Sequence, residues 1–182
     1  MTSISLTKQT IFWSNETLRN ALFVLAGVML LATAAQISIP LLPVPVTLQS
    51  VTVLLIGIGF GPRYGVRVIA IYLLAGAIGL PIFSNFSGGL IKFFSPTGGY
   101  LMGFLPAAFL SGYLAQKGLT RSILGNFITC LLSISVIYLC GVSWLATQMG
   151  WQNAISVGLM PFIFIEPIKL LIMSLLLPLM WK

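Results

Sequence analysis

The chain has 182 residues, of which 58% are hydrophobic and 6% charged, with a formal charge of +7, no His and two Cys. A soluble domain carries about 25% charged residues, so nine Lys or Arg and two Asp or Glu cannot clothe a water-soluble surface of this size, and the mean hydropathy is +1.08. That excludes a soluble globular enzyme, a disordered chain and a nucleic-acid-binding domain; without His, and with only Cys130 and Cys140 ten apart in one apolar run, it also excludes a zinc site, a Cys/His nucleophile and a disulfide framework.

A helix crossing the hydrocarbon needs about 20 mostly apolar residues. Residues 1–19 are polar, hold Lys8, Glu16 and Arg19, and are read as a cytoplasmic segment. A first span covers about 21–39. Its charged start and Ala32-Thr33-Ala34 resemble a cleavable signal peptide, but the apolar run continues past the alanines. Pro40, Pro43 and Pro45 then break the chain, because helix does not pass through that density of proline. A second span, 46–60, ends at Gly61-Pro62-Arg63, and a third follows at 65–83. Residues 84–97 read as a loop rich in Ser, Gly and Asn. A fourth span covers 98–115, and Lys117 to Arg121 form a polar turn. A fifth span covers 123–146, Gln148 to Asn153 turn again, and a sixth covers 155–180. The expected architecture is an all-α integral membrane protein, one domain over residues 1–182 with six transmembrane helices, multi-pass in the cell membrane.

Orientation follows from the cations. With the N-terminus in the cytoplasm, Lys8, Arg19, Arg63, Arg67, Lys117, Arg121 and Lys182 fall inside, and only Lys92 falls outside. Cytoplasmic loops carry the excess of Lys and Arg, so both termini are expected in the cytoplasm. Arg67, just within the third span, can snorkel to the inner interface.

Two charges remain within the bilayer. Glu166 and Lys169 lie three apart in the last span, on one helix face. A charge at mid-membrane costs roughly 2.5–3.5 kcal/mol on insertion scales, so such residues face the protein interior and pair, or serve a pathway. One reading is an ion pair that locks the helix to its neighbours. The other is a polar ligand site on a helix broken by Pro161 and Pro167, since interrupted membrane helices line cavities or are packed in protein. Near the outer face, Thr47 and Gln49 enter the second span, and Asn85, Lys92 and Tyr100 flank the third loop with Phe83, Phe86, Phe93 and Phe94. The phenylalanines serve equally as interface anchors, Gln49 as an interhelical hydrogen bond, and Lys92 as a solvated loop charge. A cation at the outer mouth also attracts an anionic solute.

Four stretches in order carry a family resemblance: Pro43-Val-Pro-Val-Thr-Leu-Gln49, Tyr72-Leu-Leu-Ala-Gly-Ala-Ile-Gly-Leu-Pro81, Ser95-Pro-Thr-Gly-Gly-Tyr-Leu-Met-Gly-Phe104 and Pro161-Phe-Ile-Phe-Ile-Glu-Pro-Ile-Lys169. The chain resembles the BioY family, the biotin-specific substrate-capture (S) components of energy-coupling-factor (ECF) transporters, over nearly its whole length from about residue 20. The resemblance implies a six-helix protein with its pocket near the outer face, capturing biotin and taking it up with a transmembrane coupling subunit and two cytoplasmic ATPases. It implies Glu166 as acceptor for the ureido N–H and Lys169 as donor to the ureido oxygen or counter-charge. Gln49, Thr47, Asn85, Lys92 and Tyr100 would supply further polar contacts, Lys92 to the biotin carboxylate, with Phe83 and other phenylalanines enclosing ring and chain.

Three departures stand out. The family usually has Asp where Glu166 stands and Gly where Ser95 stands. The helix-one small-xxx-small pattern is met only by Ala34 and Ser38. Competing readings are an S component for another vitamin and a structural membrane protein with Glu166–Lys169 as a packing pair. No Gly-x-x-x-x-Gly-Lys-Ser/Thr occurs, so the chain is expected neither to hydrolyse ATP by the P-loop route nor to act as an enzyme, and no metal or organic cofactor is called for.

Overall fold

A computed structural model describes residues 16–180; Lys8, Lys182 and most of the 1–19 segment lie outside the described residues. The first helix, α1 (Glu16–Gln36), buries Gly27, Val28, Leu31, Ala34 and Ala35 and turns Leu25, Met29 and Leu30 outward. After it, the proline-rich segment forms a two-stranded antiparallel ribbon that hydropathy did not announce. Strand β1 (Ser38–Ile39) pairs with β2 (Val46–Thr47) in the register Ser38 to Thr47. The ribbon folds the segment between the first two predicted spans back toward the bundle, where Val44 and Val46 are buried.

Residues 49–77 are assigned as one helix, α2 (Gln49–Ala77), but Gly61 inside it has φ 76° and ψ 172°. A side chain is strained at that backbone conformation and glycine is not. The chain doubles back there. A Cβ added to Gly65 would lie 3.0 Å from the Cα of Gly57, eight residues away, a separation of about 12 Å along a continuous helix. The Gly61-Pro62-Arg63 turn expected between the second and third spans is therefore present. The second arm stops at Ala77, six residues short of the expected end, because Gly79 takes φ 107° and Pro81 follows.

The connection to the next long helix holds a 3-10 turn at Ser84–Phe86 and a short helix, α3 (Ile91–Phe94). Then come α4 (Gly98–Gln116) and α5 (Ile123–Met149), the latter capped by Ser122 Oγ accepting from Gly125 N–H at 3.0 Å. The expected sixth span is two helices, α6 (Trp151–Gly158) and α7 (Met160–Met180). The break falls at Leu159, with φ −124° and ψ −51°, and not at Pro161 or Pro167. Pro161 occupies the first turn of α7, where a missing N–H costs nothing, and helix continues through Pro167.

The core lies where α4 packs between α2 and α5. Glycines bring the backbones together there: a Cβ at Gly112 would meet the Gly57 carbonyl and Gly61. Outward faces present Leu22, Phe23, Leu74, Ile78, Leu124, Leu139, Phe164 and Ile168 to the surroundings, more apolar surface than a soluble monomer leaves exposed. Among the described residues, four helices are long and apolar enough to cross a membrane: residues 16–36, 49–77, 123–149 and the 151–177 segment.

Candidate functional site

Opposite the Gly61 turn, the ribbon, the 78–97 connection and the upper ends of α4, α5 and α7 enclose a pocket. The connection is held from two sides, by α1 and by α5. Gln36 on α1 donates from Nε2 to the Phe83 carbonyl at 3.1 Å and accepts from Phe86 N–H at 2.9 Å. Trp144 Nε1 donates to the Ser95 carbonyl at 2.9 Å, and Gln148 Nε2 to the Phe94 carbonyl at 3.2 Å.

Glu166 lines the pocket from α7 and is buried, with 5% of its surface exposed. Its Oε1 accepts from Lys169 Nζ at 2.6 Å, from Tyr138 OH at 2.9 Å and from Ser50 Oγ at 3.3 Å. Lys169 Nζ also donates to the Thr47 carbonyl at 2.8 Å and to Ser50 Oγ at 2.9 Å. An ammonium has three donors and no acceptor, so the protein takes all of them. The other carboxylate oxygen, Oε2, is buried without a hydrogen-bond partner. An unpaired buried acceptor is costly unless a partner arrives. Lys169 and Glu166 are thus brought together as expected, but Lys169 stands behind the carboxylate and is not part of the pocket lining.

Of the remaining candidates, Thr47, Gln49, Phe83, Lys92 and Tyr100 line the pocket. Gln49 Nε2 donates to Tyr72 OH at 2.7 Å, and Tyr72 OH donates to the Ile82 carbonyl at 2.8 Å, which fixes the amide against the wall. Tyr100 contributes its ring; its hydroxyl donates to the Gly158 carbonyl at 2.8 Å, at the break before α7. Lys92 is half-buried at the rim and makes no ion pair among the described residues. Asn85 does not line the pocket. It is exposed and sits at φ 58°, ψ 40°, a left-handed turn conformation that Asn tolerates better than most residues.

Residues not anticipated complete the wall. Ser50 and Tyr138 hold Glu166; Tyr138 packs on Phe162 with centroids 5.3 Å apart and edge-on to Tyr100 at 5.9 Å. A tyrosine in the middle of an apolar span was the available signal for Tyr138, and Ser50 follows Gln49 directly in the chain. Phe83 is edge-on to Tyr72 at 5.4 Å and to Phe93 at 5.9 Å. Two glycines seat these rings: the Cβ of an alanine would overlap the Phe83 ring at Gly76 and the Tyr100 ring at Gly141.

The result is an aromatic chamber lined by one carboxylate, Glu166, and one cation, Lys92. Its volume is about 60 Å³, smaller than the cavity of about 150 Å³ that takes a benzene.

The model of the BioY family matches residues 6–182. A probable biotin transporter BioY of Pyrococcus horikoshii is 41% identical over 142 residues, covering 78% of this chain and 83% of that protein. The biotin transporter BioY of Thermotoga maritima is 42% identical over 148 residues, covering 81% and 86%. Among solved structures, the S-component for biotin from an ECF-type ABC transporter superposes with a TM-score of 0.74 at 24% identity, over 88% of this chain and 91% of that one; at that identity the likeness is one of fold.

Proposed function

The chain belongs to the BioY family, and on that premise we propose that it captures biotin at the outer face of the cell membrane as the S component of an ECF-type transporter. The observation that carries this reading is Glu166, a buried carboxylate lining an aromatic pocket, with one oxygen held by three donors and the other without a hydrogen-bond partner. Biotin offers a ureido ring with two N–H donors, an apolar thiophane, an aliphatic chain and a carboxylate. A ureido N–H satisfies Glu166 Oε2. Lys169 balances the charge from behind, and its spent donors leave the ureido oxygen to other groups. Tyr138, Phe162, Phe83 and the Tyr100 ring enclose the bicycle, and Lys92 at the rim receives the carboxylate.

Six spans with both termini in the cytoplasm fit this role, in one domain over residues 1–182. The reading is supported by the reversal at Gly61, which makes two crossings of residues 49–77. It is also supported by Gly61 lying beside Gln116, which brings Arg63 and Lys117 to the end of the bundle away from Lys92. External labelling of a cysteine at position 84 but not at position 120 is the expected pattern; the reverse would overturn the orientation. With no phosphate-binding loop in the chain, concentrative uptake is assigned to a transmembrane coupling subunit and two cytoplasmic ATPases.

The deciding measurement is biotin titration of purified protein against Glu166→Gln. Gln keeps the shape but turns a charge-assisted hydrogen bond, worth roughly 1.5–3 kcal/mol, into a neutral one. Affinity should fall about tenfold or more, since 1.4 kcal/mol is a factor of ten. Folded Glu166→Gln protein with unchanged affinity would leave the pair as a packing device, the reading favoured by Lys169's bond to the Thr47 carbonyl.

A further inference from the structure

The turn at residues 83–87 contributes Phe83, Ser84 and Ser87 to the pocket lining. It also holds strained backbone. Asn85 sits at φ 58° and Phe86 at φ 51°, the two non-glycine residues with positive φ among the described residues. The left-handed region brings Cβ too close to the following carbonyl, so side chains other than Asn and Asp avoid it. Asn85 suits that conformation and Phe86 does not. Burial of the ring does not offset the strain either, because Phe86 is 72% exposed. Strained backbone persists only where the surrounding contacts over-determine it.

Two bonds inside the turn close it on itself. Phe83 N–H donates to the Ser87 carbonyl at 2.9 Å, and Ser87 Oγ donates to the Ser84 carbonyl at 2.7 Å. The Phe83 carbonyl and the Phe86 N–H are both taken by one side chain, that of Gln36, the last residue of α1. Its Nε2 gives a further hydrogen bond to the Ala32 carbonyl, at 3.1 Å in its own helix. A primary amide has two donor hydrogens and one acceptor oxygen, so both donors and the oxygen are spent on backbone. Gln36 is not itself part of the pocket lining. It stands two residues before Ser38, at the root of the ribbon. One amide thus ties the start of the ribbon to the turn that carries Phe83.

We propose that Gln36 is a positioning residue for ligand retention, an inference that rests on reading this pocket as the biotin site. Its amide holds the 83–87 turn in the left-handed form that keeps Phe83, Ser84 and Ser87 in the wall. Without it Phe86 returns to negative φ, the wall loosens and biotin leaves sooner.

The test pairs two readouts on the detergent-purified full chain. Hydrogen exchange of the 83–87 amides, followed without biotin, reports the clamp alone. Chase with unlabelled biotin reports dissociation. Gln36→Met keeps the length of the side chain and removes both bonds to the turn. It should speed exchange at Phe86 and biotin dissociation about tenfold or more, the scale of two neutral hydrogen bonds, with association little changed. Gln36→Asn keeps an amide one methylene short of the turn and should do the same, so the idea stays testable if Gln36→Met folds poorly. Phe86→Gly removes the Cβ that makes the left-handed form costly. Loss of Gln36 should therefore speed dissociation less in the Phe86→Gly background than in the wild type, a coupling that a double-mutant cycle measures. Unchanged exchange at Phe86 would overturn the clamp. So would equal effects in the two backgrounds, the pattern of a direct bond from Gln36 to biotin. A lowered melting temperature with normal dissociation would overturn it too, since that marks an amide serving only the helix end. Wild-type protein that retains no biotin would strike the functional reading instead, and exchange at Phe86 would still decide the clamp.

Discussion

Replacing Lys169 by Met keeps the length of the side chain and removes three bonds at once, to Glu166 at 2.6 Å, the Thr47 carbonyl at 2.8 Å and Ser50 at 2.9 Å. Adding the three as independent hydrogen bonds overshoots, because the pair's own desolvation is recovered when it is broken. The better guide is the cost of stranding one member of a buried ion pair, about 3–5 kcal/mol. For a chain of this length that is a fall of roughly 6–20 °C in melting temperature. The charge that does the damage is the abandoned carboxylate, so Lys169→Met/Glu166→Gln should recover much of the loss, as neutral replacements of buried pairs generally do. Neither variant should bind biotin well: the single lacks the group that holds Glu166 in place, and the double lacks the carboxylate. Tryptophan-fluorescence melting in detergent, alongside biotin titration, separates the two effects. If Lys169→Met melts with the wild type, or the double variant melts no higher than Lys169→Met alone, the stranded carboxylate is not what the lysine prevents.

Tyr138→Phe removes one of three donors to Glu166 Oε1 while keeping the ring that packs on Phe162; biotin affinity should drop by about 1.5 kcal/mol, or roughly tenfold, with little change in melting. Lys92→Gln should weaken free biotin but leave biotin methyl ester nearly untouched, because only the acid carries the charge the rim cation meets; equal losses for acid and ester would remove Lys92 from that role. Gly76→Ala places a Cβ inside the Phe83 ring, so Phe83 must leave the pocket wall. Equilibrium titration should show a large loss of binding, and unaltered affinity would mean Phe83 is not part of the site.

The long elements were legible because hydropathy over 20 residues is a strong signal, and Gly61-Pro62 marked the reversal inside α2. The break in the last span was misplaced for a physical reason. Pro161 and Pro167 are the residues that break helices in water, yet one sits where its missing N–H is not needed and the other is carried within a continuous helix, while the break falls at Leu159, an unremarkable apolar residue. Two-residue strands carry no periodicity, so the ribbon could not be read. Among site residues, the charges announced themselves through the cost of burying them. Asn85 stands outside the pocket lining, on an exposed left-handed turn that its polarity alone did not announce. Ser50 and Tyr138 were passed over because what they contribute, a shared bond to one oxygen of Glu166, exists only once α2, α5 and α7 are packed together.

The ammonium of Lys169 joins two things usually treated apart. It holds the carboxylate proposed to meet the ligand, and through the Thr47 carbonyl it holds the strand beside the proline turn that borders the pocket. Were the turn to shift when the pocket fills, occupancy and closure would draw on one shared contact, and thermodynamic reciprocity would follow: whatever factor biotin lent to the closed position of that turn, closing the turn would lend back to biotin affinity. An agent that grips the turn from outside would act as a positive effector without touching the ligand, and one that pries the turn away from α7 would discharge the pocket.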